Sequence, residues 1–377
     1  MTVAAARPAI PALTGLRFFL AAAIVVYHYG VAQAARLPDV IRNVLGGGFM
    51  AVDVFFLLSG FVMAYNYLDH KDGLLRGSPH AFWRARVARI VPVYWIGMLM
   101  FTPLAIPQLW RGDAAAFGAI FVSAAMLVQA WAPPLAVLWN PPGWSLSVEA
   151  FFYLVFPRLG PTLWRVRRPY TAAGACWVAL LAAAVLVSRL DPHPAAWAWG
   201  EASDACDWNK VLNFNPLLRL PEFAAGILAC RIWRQGATWQ SLAFLQWALP
   251  MGIAILLAWR APLNADLVAL GFFCPVFAAW LIVLAEARGG VSRFLALPAC
   301  VRLGEWSYAL YILHVPVWGL MLSANRENGE WLNPDELPFL TLTFVTAVGL
   351  SAAVSRFIEI PYRRAFLRAL QPAATHA

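Results

Sequence analysis

Charged residues are scarce in this chain. Asp, Glu, Lys and Arg make up 12% of its 377 residues, hydrophobic residues make up 62%, and the mean hydropathy is +0.65. Because soluble domains carry roughly 25% charged residues, this composition excludes an ordinary soluble protein and indicates an integral membrane protein. The net charge of +9 comes from Lys and Arg clustered between apolar runs, as expected for cytoplasmic loops. We therefore predict a membrane-lipid environment and no nucleic-acid partner.

Cysteine is also sparse, and the cysteines have no metal-site spacing. The five form no CxxC pair, their number is odd, and four lie in apolar runs. We therefore predict neither a disulfide framework nor a metal site. Internal repeats and soluble appendages are lacking too, so residues 1–377 are predicted to form a single membrane domain.

Apolar runs, by contrast, are abundant, and a membrane-spanning helix needs about 20 such residues. The candidates are 11–31, 48–66, 90–109, 116–131, 144–157, 170–189, 217–234, 239–258, 264–285, 300–322 and 338–358. With the basic clusters placed inside, 116–131 and 144–157 can together cross only once. The sequence thus predicts an all-α membrane protein with about ten transmembrane helices and both termini cytoplasmic. A broken or re-entrant element is predicted near residues 116–143, where irregular backbone would have to line a protein-enclosed cavity.

The first apolar run contains two ionisable side chains, Arg17 and His28, within TGLRFFLAAAIVVYHYG. Their eleven-residue spacing places them on nearly the same helix face, about 16 Å apart along the axis. A snorkelling arginine and a hydrogen-bonded core histidine would be the structural explanation. Because ionisable groups at membrane depth usually mark functional sites, two on one face favour a site.

Other polar residues at membrane depth belong to later runs. Asp53, a carboxylate at membrane depth, is predicted to have a cationic partner. Arg86 and Arg89 are explained by the positive charge of cytoplasmic loops, but a basic pocket between helices would also suit a phosphorylated ligand. Glu149 adjoins the predicted broken element. It could orient an imidazole, or it could form a structural ion pair with Arg219, and the sequence leaves both open.

The remaining signals are structural by default. Arg219 and Glu222 have the spacing of a same-helix ion pair. Trp199 and Trp208, in an acidic loop, are either interfacial anchors or stacking platforms for sugar rings.

In order, these stretches resemble the acyltransferase type 3 family of integral-membrane acyltransferases. The matching blocks are Arg17 with His28, GGGFMAVDVFFLLSGF, RVARIVPVY, WSLSVEAFFY, the NPLLRLPEF stretch, SYALYILHVP and FIEIPYRR. The resemblance runs from Leu13 to Arg364 and includes no counterpart of the esterase-like domain often fused at the C-terminus. One departure is Ala85, which separates Arg84 from Arg86 where the family often has adjacent arginines.

The resemblance implies transfer of an acetyl group from cytoplasmic acetyl-CoA to a hydroxyl of an extracytoplasmic or lipid-linked glycan, at the bacterial cytoplasmic (inner) membrane. It implies that His28 is catalytic, supported by Glu149 and Arg17, and that Arg86 and Arg89 bind the donor. Asp53, Trp199 and Trp208 are predicted to contact the acceptor. The alternatives are acylation of a small-molecule product, or transport or flipping of a lipid-linked glycan.

Overall fold

The computed structural model describes residues 7–110, 112–190, 213–236, 242–259 and 265–369. These residues form helices joined by loops, with no strand beyond an isolated bridge between Leu68 and Leu75. The sixteen described α-helices are α1 Pro11–Tyr29, α2 Val31–Ala35, α3 Asp39–Gly46, α4 Ala51–Tyr67, α5 Pro79–Leu109, α6 Ala114–Ala125, α7 Gly143–Trp164, α8 Pro169–Leu190, α9 Pro216–Arg234, α10 Leu245–Ala258, α11 Ala265–Ala269, α12 Cys274–Ala285, α13 Gly290–Leu295, α14 Pro298–Glu327, α15 Leu337–Val354 and α16 Ile360–Ala369. The predicted all-α class is confirmed.

Seven helical segments in the described ranges are long and apolar enough to cross a membrane: Pro11–Tyr29, Asp39–Tyr67, Pro79–Leu109, Pro169–Leu186, Leu267–Ala285, Pro298–Glu327 and Leu337–Arg368. The protein is therefore a multi-pass membrane protein. Helices α7 and α9 have 22 and 19 residues but do not reach the same apolarity. The predicted count of about ten spans and the cytoplasmic location of both termini stay predictions.

Local sequence signals explain where the helices begin. Proline occupies the first position of α1, α5, α9 and α14, where the missing amide hydrogen has no helical partner to lose. The Ser78 hydroxyl caps α5 by accepting a hydrogen bond from the Ala81 amide at 3.2 Å, and the Asn215 side chain caps α9 in the same way.

Glycines bring the central helices together. A β-carbon added at Gly60 would lie 2.0 Å from the Phe223 carbonyl oxygen, and one at Gly226 would lie 2.0 Å from the Leu57 carbonyl oxygen. Helices α4 and α9 therefore touch along their backbones. Gly304 fits α14 against α1 in the same way, because its added β-carbon would lie 1.9 Å from the Thr14 carbonyl oxygen. Small residues at helix interfaces in membranes permit this close approach of backbones.

The segment between α6 and α7 is irregular, as the sequence predicts. It contains two three-residue 3-10 helices and two residues with positive φ, Leu127 at 56° and Asn140 at 48°. Some of its polar groups find partners inside the protein: Gln129 donates to the Tyr94 hydroxyl at 3.2 Å, and the Ala130 amide donates to Ser147 at 3.3 Å. Irregular backbone among apolar helices requires this internal pairing.

Many of the arginines gather at one end of the bundle, which we call the basic end. It comprises the start of α1 and α5 and the last turn of α4, α7 and α9. Four arginine hydrogen bonds join these helix ends: Arg7 to the Tyr65 carbonyl at 2.6 Å, Arg86 to the Tyr67 hydroxyl at 2.6 Å, Arg165 to the Asp72 carbonyl at 3.0 Å and Arg231 to the Leu163 carbonyl at 3.1 Å.

Candidate active site

Helix α1 carries both Arg17 and His28. Arg17 lies in the half of the helix near the basic end, and His28 lies in its last turn at the far end. The His28 side chain is exposed although it belongs to a membrane-spanning helix, whereas Arg17 is half-buried. One straight helix thus links a cationic group near the basic end to an accessible imidazole about 16 Å away.

His28 packs against a second histidine from α14. The rings of His28 and His314 stack with centroids 5.5 Å apart and planes 25° apart, and His314 is 1% exposed. The His314 Nδ1 lies 2.7 Å from the Tyr311 carbonyl oxygen. Because a carbonyl only accepts, Nδ1 carries the hydrogen in this contact and Nε2 is left with a lone pair. That Nε2 is buried and has no hydrogen-bond partner among the described residues.

A polar path continues from this histidine pair towards the basic end. The Tyr311 hydroxyl lies 2.7 Å from the Ser145 hydroxyl on the first turn of α7. One turn further along α7, Glu149 accepts hydrogen bonds from Ser59 at 2.8 Å and from the Tyr153 hydroxyl. Polar side chains of α14, α7 and α4 thus form two hydrogen-bonded groups, one turn of α7 apart, and Glu149 is half-buried.

Glu149 lies with Arg17 rather than with His28. Arg17 interacts electrostatically with Glu149 and Tyr153, as well as with Arg86 and Arg89. The structure therefore does not show the direct hydrogen bond to His28 that orientation of its imidazole by Glu149 would need. The alternative, an ion pair between Glu149 and Arg219, is also absent from the described residues.

The two predicted donor-binding arginines have different surroundings. Arg86 is enclosed by aromatic rings, with its guanidinium carbon 5.0 Å from the Tyr67 ring centre and 5.8 Å from that of Tyr153. Arg89 is half-buried and, like Arg17, makes no hydrogen bond or ion pair with the part of the chain that the structure describes. Arg363 of α16 lies within electrostatic range of Arg86 and Arg89. Several cations thus converge where few carboxylates are available.

Asp53 has a cationic partner, as the sequence predicts. Nη1 of Arg219 lies 3.0 Å from Asp53 Oδ1 and 2.8 Å from Glu222 Oε1, so it bridges both carboxylates. The expected same-helix pair between Arg219 and Glu222 is confirmed. The residues Asp53, Arg219 and Glu222 are each at most 3% exposed. The predicted contact between Asp53 and an acceptor stays a prediction.

Trp199 and Trp208 lie outside the described residues, so their predicted contact with the acceptor stays a prediction. Other aromatic residues do surround His28. The rings of Tyr29 and Trp318 stack 4.2 Å apart at 11°, and Tyr29 also contacts His314. The sequence places His314 and Trp318 four residues apart on one predicted helix, but it holds no signal that α14 packs against α1.

No three side chains of His, Cys, Asp or Glu come together as metal ligands in the described ranges. The groups that could hold a donor molecule are therefore the arginines. Their guanidinium forks match phosphate oxygens in geometry and charge.

An arginine cluster and an accessible histidine lie in one bundle of apolar helices, and ionisable groups at membrane depth are typical of a functional site. Comparison of the sequence with known proteins identifies the class. The acyltransferase type 3 family, described as an acyltransferase domain, matches residues 10–356. The chain therefore belongs to this family of membrane acyltransferases.

Three relatives illustrate the range of similarity. Acyltransferase MdmB of Streptomyces mycarofaciens is 33% identical over 82% of this chain and 79% of its own length. O-acetyltransferase OatA of Staphylococcus aureus is 24% identical over 94% of this chain, but the match covers only 57% of OatA. A peptidoglycan O-acetyltransferase OatA of Listeria monocytogenes is 28% identical over 40% of this chain and 24% of its own length. No protein of known structure matches the chain.

Proposed function

We propose that the protein is an O-acetyltransferase that moves an acetyl group from cytoplasmic acetyl-CoA to a hydroxyl of an extracytoplasmic or lipid-linked glycan. The observation that supports this proposal most strongly is the geometry of α1. Arg17 lies near the arginine cluster, and His28 is accessible at the other end of the helix. OatA relatives support a glycan acceptor, because one of them is named for acting on peptidoglycan.

The donor binds from the basic end. Arg86 and Arg89 contact the phosphates of acetyl-CoA, and Arg17 lies further along the route into the bundle. None of these three arginines forms an ion pair with a described residue, so phosphate oxygens would supply the missing negative charge. The basic end faces the cytoplasm of a bacterial cell under the positive-inside rule, where acetyl-CoA is made.

His28 acts as general base on the acceptor. It removes the hydroxyl proton while the hydroxyl oxygen forms a bond to the acetyl carbonyl carbon. The bond between that carbon and the CoA sulfur breaks, and the departing thiolate takes the proton from His28. His314 stacks on the His28 ring and holds it in position, and the aromatic pair of Tyr29 and Trp318 offers faces against which a sugar ring can pack.

Equilibrium binding of acetyl-CoA to the purified protein tests the donor half of this proposal. We expect wild type to bind, and the double variant Arg86→Gln, Arg89→Gln to bind at least tenfold more weakly, since each lost charge-assisted contact removes about 1.5–3 kcal/mol. Arg168→Gln removes an exposed arginine whose side chain makes no hydrogen bond or ion pair with a described residue, and this variant should bind as wild type does. Folded wild type that does not bind acetyl-CoA would contradict the proposal and favour glycan transport.

The acceptor half is tested with labelled acetyl-CoA and a choice of acceptors. Label should enter the host's surface glycan in membranes that contain the protein and not in membranes without it. If the label enters a small-molecule product instead, that product is the acceptor and the glycan is not. The proposal for the donor would then still hold.

A further inference from the structure

A second basic pocket lies at the basic end, apart from the residues assigned to acetyl transfer. It has a volume of about 290 Å³ and lies between the start of α1, the loop after α4 and the last turn of α9. Its lining consists of Arg7, Tyr65, Asp69, His70, Lys71 and Arg234.

Positive charge dominates this pocket. Arg7, Lys71 and Arg234 contribute three cations against the single carboxylate of Asp69, and none of the three cations forms an ion pair with a described residue. Asp69 Oδ1 accepts the Lys71 backbone amide at 2.8 Å, which occupies part of its capacity. The guanidinium of Arg7 is fixed by its hydrogen bond to the Tyr65 carbonyl at 2.6 Å. The pocket thus holds three cationic side chains, which its single carboxylate does not balance.

His70 lies in buried and positively charged surroundings. Burial and the neighbouring charges of Arg7 and Arg234 lower its pKa to about 4, so the ring is neutral at pH 7. Its Nε2 lies 3.1 Å from the Tyr65 carbonyl, which makes Nε2 the protonated nitrogen, and the ring stacks on Trp164 at 5.4 Å. The histidine is therefore held in place by its surroundings rather than by a carboxylate.

This pocket and the Arg86 cluster lie on different sides of α4. Tyr67 contacts Arg86, whereas Tyr65, two residues earlier, faces Arg7 and the Trp233 ring of α9. Residues two apart in a helix point about 200° away from each other. A phosphate group in the pocket is therefore not held by Arg86.

We propose that this pocket binds a phosphate group at the basic end of the protein. Clustered arginine and lysine donors without an internal anion recognise phosphate oxygens, and basic pockets between membrane helices bind phospholipid headgroups. Two sources share this chemistry: the headgroup of an anionic phospholipid, and the 3′-phosphate of coenzyme A. The second source rests on the proposed function; the first does not.

Arg234→Gln tests the pocket, because Arg234 is exposed and its loss leaves the helix packing intact. Arg168→Gln is the matched control, with the same change of charge at the same end of the bundle. In the lipid arm, the thermal midpoint is compared in nanodiscs of phosphatidylcholine with and without phosphatidylglycerol. In the nucleotide arm, the dissociation constants of coenzyme A and 3′-dephospho-coenzyme A are compared.

Either of two results supports the pocket. Stabilisation by phosphatidylglycerol that is lost in Arg234→Gln alone identifies the lipid phosphate. A roughly tenfold loss of affinity for coenzyme A, but not for its 3′-dephospho form, identifies the nucleotide phosphate. If Arg234→Gln behaves as wild type in both arms, the proposal is overturned. If wild type binds no coenzyme A, the proposed function fails, and the lipid arm still decides the pocket.

Discussion

Arg219 connects two buried carboxylates on two helices, and this triad is a structural feature at the scale of single residues. The sequence predicted a cationic partner for Asp53 and a same-helix partner for Glu222. It could not predict that one arginine serves both, because Asp53 and Arg219 meet only where α4 packs on α9. The contact between His28 and His314 was hidden for the same reason.

Replacing Arg219 by methionine should destabilise the protein strongly. Two carboxylates would remain buried and unpaired, and breaking such a pair lowers the free energy of unfolding by about 3–5 kcal/mol. The measurement is the thermal midpoint of the purified variant in detergent. A wild-type midpoint for Arg219→Met would contradict the structural role of the triad.

Asp53→Asn is the milder comparison, because Arg219 keeps Glu222 as its ion-pair partner. It also tests the predicted acceptor role of Asp53. A variant with a wild-type midpoint and reduced acetyl transfer would support that role, and one with normal transfer would remove it.

At the scale of helices, hydropathy located the spans better than it located their ends. The sequence placed the third span at 90–109, yet the helix begins at Pro79. The apolar run starts late because arginines occupy the first turns, but arginine is a good helix former and Ser78 supplies the cap. Charge alternation correctly indicated an irregular element before α7, whereas its internal hydrogen bonds to Tyr94 and Ser147 depended on tertiary contacts.

The backbone contact at Gly304 controls how α1 and α14 present their histidines. Gly304→Ala would put a methyl group 1.9 Å from the Thr14 carbonyl oxygen, so the helices must separate. We expect a lower thermal midpoint and reduced acetyl transfer, because the stacked rings of His28 and His314 would shift.

Gly174→Ala on α8 is the matched control. An added β-carbon there meets nothing within 4 Å, and alanine should stabilise the helix by about 0.5–1 kcal/mol. Equal behaviour of the two variants would show that the close approach at Gly304 has no influence on the site.

At the scale of the whole molecule, composition alone predicted the membrane class, and the family resemblance predicted the acyltransferase. The orientation follows from charge: the basic end should face the cytoplasm. Arg168 lies at this end, and Asp335 lies in the acidic loop between α14 and α15. Each is replaced by cysteine, in separate variants, for labelling. Both positions are exposed.

In intact cells, a membrane-impermeant maleimide should label Asp335→Cys above the wild-type background and should label Arg168→Cys only after permeabilisation. The physical reason is the translocation penalty for positively charged loops. The reverse labelling pattern would invert the topology and would place the donor-binding arginines on the wrong side for cytoplasmic acetyl-CoA.

Donor binding at the arginines of the basic end and chemistry at His28, in the last turn of α1, are thus separate tasks at two ends of the bundle. The most direct measurement is the initial rate of labelled acetyl transfer by His28→Asn, together with its affinity for acetyl-CoA. We expect the rate to fall by a factor of about 10²–10⁴, as for loss of a general base. The dissociation constant for acetyl-CoA should not change. Transfer at the wild-type rate would contradict the role of His28.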